Sequence, residues 1–261
     1  QFEHAYTPLG SVQTFGFRVR HTYYDQGFDF SELGLPFSMS VQSNKSEMIP
    51  YYSKNFSREL SATLEVLIRT EDFKTITDDN KDSGISLALK GTPEFLNWTL
   101  NADYLLKKYM DRGQRNWDGV EITGAKLETD KISFSATAEK DNEAPIFEKT
   151  SAKLAWAQLQ DNGGGYYDYD KISLSLRQEL KISSYNVEVK VGGAHTKYDQ
   201  RETDNFEIFE RQSLTKGVSI NRFISENVDT YFRWSREQDF SNSRDYEYSS
   251  NFWSLGVTWE I

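Results

Sequence analysis

The chain contains no cysteine. That excludes disulfide staples, thiolate nucleophiles and zinc–thiolate sites, and it is compatible with an oxidising compartment. Histidine occurs only at His4, His21 and His195. Charged residues make up 27% of the sequence, and no apolar run approaches the roughly 20 residues that a membrane-spanning helix requires. The chain is therefore either soluble or meets lipid in a form that hydropathy averaging misses. It also lacks a Lys/Arg-rich run. With a net charge of -10, no nucleic-acid partner is expected, because such a surface needs a compensating basic patch. There is no linker, no low-complexity tract and no helical segment of note, so a single domain over 1–261 is expected. The chain shows no signal peptide and begins with Gln1, which points to a processed or trimmed form.

Aromatic residues, in contrast, reach 15%, with 15 Tyr and 17 Phe. The dominant hydrophobic period is two. In RELSATLEVLIR, Leu60, Ala62, Leu64, Val66 and Ile68 share one face, with Glu59, Ser61, Thr63, Glu65 and Arg69 on the other. FLNWTLNADYL sets Trp98, Leu100, Ala102 and Tyr104 against Asn97, Thr99, Asn101 and Asp103. KISLSLR and YNVEVKV repeat the pattern through Ile172, Leu174, Leu176, Val187, Val189 and Val191. Such alternation marks strands with one apolar and one polar face. The clusters DDNKDSG, GTPE, ETDK, DNGGG and ISEN read as turns. About twelve strands result, at 10–24, 56–73, 83–91, 95–109, 118–128, 131–141, 149–160, 169–179, 184–198, 212–223, 227–238 and 248–261. LPFSMSVQS also alternates, through Phe37, Met39 and Val41; paired with its neighbour it would raise the count to fourteen.

Two architectures accommodate such a sheet. A soluble sandwich packs apolar faces together, whereas a membrane barrel turns them to lipid and its polar faces inward. Soluble strands cluster near roughly five or six residues, while several here approach or exceed the roughly 9–11 that cross the hydrocarbon layer at a tilt. The polar faces are rich in hydroxyls and in charges of both signs, as a wet lumen would be. Tyr23, Tyr24, Tyr51, Tyr52, Tyr104, Tyr109, Trp117, Tyr166, Tyr167, Tyr198, Tyr248 and Trp253 lie near predicted strand ends, where interfacial girdles form. The expected fold class is all-β: a closed antiparallel transmembrane β-barrel of about 12 strands, with 14 as the alternative.

The sequence closes on SLGVTWEI. Ser254-x-Gly256-x-x-Trp259-x-Ile261 resembles the C-terminal assembly signal of bacterial outer-membrane β-barrel proteins, although the usual last residue there is aromatic. The resemblance implies a bacterial outer-membrane location and recognition by the barrel assembly machine. It also implies that the last strand pairs with the first, SVQTFGFRVRHTYY, which removes both sheet edges. Outer-membrane lipids, lipopolysaccharide and a periplasmic or envelope protein are the partners such a location implies. An even strand count would place both ends in the periplasm. MDRGQRNWDG, at 110–119, would then form a long periplasmic turn beside a short external GTPE, which leaves the register of the first half open.

Catalytic motifs are sparse. A nucleophilic serine needs a histidine base within reach. The neighbourhoods of His21 and His195 do not reproduce the His-x-Ser arrangement of the outer-membrane phospholipase, nor the acidic pairing of the barrel proteases. Asp78, Asn80 and Asp82 have calcium-loop spacing, but Ser83 and Leu89 stand where Gly and Glu are required. A turn of solvated acids is expected there, and no metal, no cofactor and no enzyme activity. The acidic stretches DNGGGYYDYD and DQRETDNFEIFE could bridge to lipid phosphates through divalent cations.

What remains is the lumen, which a twelve- or fourteen-strand ring leaves partly open. The lumen-lining candidates are Arg18, Arg20, Arg69, Lys107, Lys153, Lys171, Arg177, Lys190 and Arg233. Facing them are Glu59, Glu65, Asp103, Glu121, Glu139, Glu188, Asp229 and Glu237. Separated arcs of opposite charge would orient polar solutes, and intermixed charges would close the passage. Residues 25–55 form a loop able to tuck in. The expected function is a channel for passive diffusion or export of hydrophilic solutes, sugars or polysaccharide among them. The alternatives are a non-conducting barrel that anchors an envelope or secretion assembly, and an outer-membrane enzyme of unrecognised type.

Overall fold

The computed structural model describes residues 2–8, 11–29, 38–74, 78–142, 144, 146–203, 205–225, 228–243 and 246–259. No helix in it is long and apolar enough to cross a membrane. The regular elements are thirteen strands: β1 (Phe2–Tyr6), β2 (Gln13–Asp29), β3 (Ser38–Asn55), β4 (Leu60–Phe73), β5 (Asn80–Gly91), β6 (Asn97–Arg115), β7 (Glu121–Asp141), β8 (Phe147–Asp161), β9 (Tyr169–Ile182), β10 (Tyr185–Glu202), β11 (Ile208–Ser225), β12 (Val228–Ser241) and β13 (Tyr248–Trp259). They form one antiparallel sheet in which each strand neighbours the next in sequence. Among the described residues β1 and β13 are not paired with each other.

Local chemistry sets the hairpins. Ser183 adopts a left-handed conformation, φ 56°, between Ile182 and Tyr185, as a two-residue hairpin turn demands. The turn after β6 is closed by Asn116, whose side-chain oxygen accepts the Val120 amide at 2.7 Å, and by Gly119 at φ 83°. In DNGGG the Asp161 carboxylate accepts the amides of Gly163, Gly165 and Tyr167 at 2.7, 3.1 and 2.8 Å. That acid is therefore consumed by its own loop rather than left for a cation.

Several expectations about the elements need correction. ETDK is not a turn: the strands predicted at 118–128 and 131–141 are one continuous β7. Its charges sit within a strand because neighbours on β6 meet them, Lys108 at 3.1 Å from Glu128 and the Tyr104 hydroxyl at 2.6 Å from Asp130. Residues 38–55 do not form a tucked loop but a full strand, paired with β2 from Gln13↔Lys54 to Asp29↔Ser38; Phe37 lies outside the described residues. The predicted first strand, now β2, carries the short β1 on its other edge, from Phe2↔Val19 to Tyr6↔Phe15. β1 covers that edge only along Phe15–Val19. MDRGQRNWDG mostly extends β6 to Arg115, which dissolves the long turn that troubled the register.

The chain divides into two compact units, one of Gln1–Leu89, Asn101–Ile132 and Leu159–Asp168, the other of Lys90–Leu100, Ser133–Gln158 and Tyr169–Ile261. In the first, Phe15↔Tyr52 and Val19↔Met48 build an apolar face that continues onto β4 through Leu64 and Ile68. Arg20↔Glu47↔Arg69 and Tyr51↔Glu65 lie on the opposite, polar face. In the second unit each row of the apolar face follows from pairing, as in Leu180↔Val187↔Ile220↔Phe232↔Leu255.

Burial is inverted relative to a soluble protein. Among the described residues the buried large apolar side chains are Leu127 and Phe209, while Glu47, Asp82 and Asp239 are buried acids. Leu64 is 42% exposed, Ile172 56% and Leu255 81%. The apolar face of the second unit also has an inclined border. Its apolar run reaches Ile172 on β9, broken only by Gln178, whose amide is held by Thr150 and the carbonyls of Lys149 and Glu179. On β12 and β13 the run stops at Trp234 and Trp253, which share a row with Gln178 through Val189 and Val218. Ile172 lies six residues beyond Gln178 on β9. At ~3.3 Å per residue, against four strand spacings of ~4.8 Å, the border runs at about 45° to the strand axes.

Close approach requires glycine where a tyrosine ring lies flat on the polar face. A Cβ at Gly256 would fall 2.5 Å from the Tyr231 hydroxyl oxygen, its cross-strand partner, and one at Gly16 would overlap the Tyr51 ring. Gly256→Ala is expected to unseat Tyr231 and cost about 1–3 kcal/mol. In a Tyr231→Ala background the same change should cost little, a non-additivity measurable by urea unfolding in detergent micelles.

Candidate functional site

The candidate site is the polar face. In the first unit it is centred on Glu47 of β3. Its carboxylate meets Lys45 at 3.1 Å, Arg69 at 3.5 Å and Arg20 at 3.6 Å. Arg69 of β4 also donates through Nε to Asp82 of β5 at 2.6 Å. The Asp82 side chain is wholly enclosed, so the guanidinium offsets a charge that would otherwise be costly to shelter. Asp82 is thus not the solvated acid of a turn. Asp78, at the calcium-like spacing, instead reaches Arg112 at 3.7 Å, and no group of metal-binding residues occurs among the described residues.

The remaining candidates of this unit are distributed as follows. Arg18 pairs with Glu65 and lies 5.4 Å above the Tyr51 ring, whose hydroxyl donates to Glu3 at 3.1 Å. Asp103 accepts the Ser86 hydroxyl at 2.5 Å, and the Lys107 ammonium lies 5.2 Å from the Tyr109 ring. Glu121 stands over Gly113. Glu59 departs from expectation: it belongs to the exposed connection before β4, where its amide donates to Ser57 Oγ at 3.2 Å.

In the second unit the register places Lys171, Arg177, Glu188, Lys190, Asp229, Arg233 and Glu237 on one face, through pairs such as Arg177↔Lys190, Ser219↔Arg233 and Thr215↔Glu237. Arg177 bridges Glu179 and Glu188 at 2.5 and 2.6 Å, and Lys190 reaches Glu188 at 2.7 Å. Glu139 is held by Lys149 at 2.7 Å. Lys153, Lys171 and Arg233 have no carboxylate partner among the described residues; Arg233 rests on the Tyr231 ring at 4.8 Å. Ser151, Lys153, Ser175, Arg177, Lys190 and Thr215 line a hollow of about 370 Å³. Glu188, Ser219, Asn221 and Arg233 line another of about 490 Å³. Cations, hydroxyls and one shared acid can bind water and polar solutes; they hold no nucleophile–base pair.

Toward the β10–β11 turn the same face is tightly packed. Arg201 lies 4.5, 4.7 and 5.3 Å from the rings of Phe209, Tyr246 and Tyr198, and Arg211 pairs with the enclosed Asp239. The expected aromatic girdle is therefore only partial. Tyr104 sits mid-strand in β6, and Tyr51 and Tyr198 serve the polar face. Of the C-terminal signal residues, Ser254 and Gly256 share the polar face with Arg233 and Tyr231, Trp259 lies on the apolar face opposite Val228, and Ile261 is outside the described residues.

Sequence reasoning missed Lys45, Glu47, Arg211 and Asp239, and took Asp82 for a solvated acid of a turn. The signal for the first two was the alternation Ser43, Lys45, Glu47, obscured because Ile49 and Tyr51 continue it on the polar face. It also missed that His21 Nδ1 lies 3.1 Å from Ser46 Oγ, its cross-strand partner. Among the described residues no carboxylate orients that ring. His195 faces Glu210 at 3.9 Å instead.

No protein-family model matches the chain, and no curated protein matches it in sequence. Among solved structures it is similar to OmpTdeltaL8, a loop L8 deletion mutant of OmpT, an outer membrane protein of Vibrio cholerae. Identity is 9% over 95% of this chain and 99% of that one, with a TM-score of 0.46. In-vitro folded OmpT gives 10% identity, 95% and 97% coverage and a TM-score of 0.45. The translocator domain of the autotransporter NalP from Neisseria meningitidis gives 10% identity, 95% and 88% coverage and a TM-score of 0.33. At such distances the likeness says nothing of what the chain does.

Replacing Arg69 with Met leaves Asp82 enclosed without its cation and is expected to cost about 3–5 kcal/mol. Adding Asp82→Leu should recover most of that loss, as read from urea unfolding midpoints of the two variants in micelles.

Proposed function

We propose that the chain forms a single closed β-barrel domain in a bacterial outer membrane and conducts hydrophilic solutes along its polar face. One observation carries this: large apolar side chains such as Leu64, Ile172 and Leu255 are exposed, while the buried acids Glu47, Asp82 and Asp239 lie on the other face. In water such a sheet would expose apolar area far beyond the few hundred Å² of an ordinary surface patch. In lipid the same face is satisfied, and the ladder meets the backbone's hydrogen-bonding requirement. The roughly 45° border supports this, since membrane barrels tilt their strands by about 35–45°. So does an apolar hollow of about 400 Å³ lined by Trp98, Ala136, Ala138, Ala152 and Leu154, which suits an acyl chain.

In this proposal the hollows beside Lys153 and Arg233 belong to the passage, and these cations, without a carboxylate partner among the described residues, favour anionic or strongly polar solutes such as acidic sugars. Transport involves no covalent step. The surrounding partners are outer-membrane lipids and lipopolysaccharide, with the barrel assembly machine recognising the final strand and an envelope protein a further partner. A second reading, a non-conducting anchor of an envelope assembly, is favoured by the ion-paired Glu47–Arg69–Asp82 network and the packed Arg201 cluster, which narrow the polar face.

Planar-bilayer recording on the full chain is expected to show stepwise currents with anion preference. Lys153→Glu with Arg233→Glu should move the reversal potential toward cation selectivity. Absence of steps across a range of pH and salt, with the chain shown to be inserted, would favour the anchor.

A further inference from the structure

On the apolar face of the second unit, Lys216 of β11 and Arg236 of β12 lie directly opposite each other. Two like charges at such a position repel and destabilise a sheet unless something neutralises them. Among the described residues nothing does: neither has an ion-pair partner there, and the Arg236 Nε is buried without a hydrogen-bond acceptor. The residues beside them in the row are Val191 and Asn251. The row on one side holds Val218, Trp234 and Trp253, and that on the other Leu214, Gln238 and Ser249. None carries a carboxylate. On the polar face, by contrast, Arg177, Lys190, Arg69 and Arg211 each meet an acid, although Lys153, Lys171 and Arg233 do not among the described residues.

The position of the pair fits its chemistry. It sits at the border where the apolar run ends on β12 and β13, directly beyond Trp234 and Trp253, whose rings are 5.9 Å apart. Indoles favour the depth where acyl chains give way to headgroups, so cations one row further out meet the phosphate layer. Resting on the membrane placement proposed above, we infer that Lys216 and Arg236 form a binding site for the phosphate headgroup of an anionic lipid, with the acyl chains lying against the apolar rows below. The guanidinium offers the planar donor fork that suits phosphate oxygens, and the ammonium adds a mobile point charge.

The test uses the full chain in nonionic detergent micelles, titrated with diphosphorylated lipid A and followed by thermophoresis. Phosphatidylcholine and inorganic phosphate are the comparison ligands. Lipid A is expected to bind saturably, and Lys216→Gln with Arg236→Gln should weaken it by about tenfold or more. Phosphatidylcholine should bind no more weakly to the variant than to the parent, and inorganic phosphate should not compete at matched concentration, because it lacks the acyl contacts. Unchanged lipid A affinity in the variant would overturn the site. So would effective competition by inorganic phosphate, which would mark a simple anion site. Bilayer insertion of both proteins is measured alongside. A chain that inserts but shows no such loss defeats the lipid site alone; a chain that stays monodisperse in plain buffer and does not insert defeats the membrane placement and this site with it.

Discussion

Everything in this structure depends on strand register. Side chains alternate between the two faces of a strand, so a slip of one residue would carry every charge of that strand onto the apolar face and every aliphatic residue onto the polar one. Apart from register shifts at Lys197/Glu202 and Phe223/Ser225, the pairing of β9 through β12 holds Lys171, Arg177, Glu188 and Arg233 to one side and Leu174, Val187 and Trp234 to the other. Short turns fix that pairing. The two-residue Ser183–Ser184 connection leaves no freedom for a slip, and the Asp161 carboxylate pins a longer loop through three amides.

Charge reinforces register from the polar side. Arg69 finds both Glu47 and Asp82 only when β3, β4 and β5 are aligned as they are. A misaligned neighbour would leave an acid enclosed and unpaired, at far greater cost than the loss of one apolar contact. The tyrosine–glycine seats add a steric check: Tyr231 lies flat only over a residue without a Cβ, and Gly256 is directly opposite. The glycine noticed for its place in a terminal pattern thus has a packing reason of its own.

Much of this was legible in the sequence. The alternation around Leu64, Trp98 and Val189 identified strands and their faces, because period two is a local property. It failed where the local pattern was ambiguous. ETDK has turn-like composition, yet Glu128 and Asp130 are strand residues because Lys108 and Tyr104 stand beside them. Glu59 was drawn onto the polar face by extending the alternation of β4 one residue too far. Lys45 and Glu47 were hidden in a stretch whose partner, β2, is many residues away in the chain.

By itself the sequence determined that this is a sheet protein with one apolar and one charged face, because side-chain alternation follows from the geometry of a single extended chain. Only the tertiary structure decided which charges neutralise which, why Lys216 and Arg236 are left facing the apolar side together, and that the apolar border crosses the strands obliquely. Those facts belong to the pairing of residues distant in sequence, and no periodicity within one strand encodes its offset against the next.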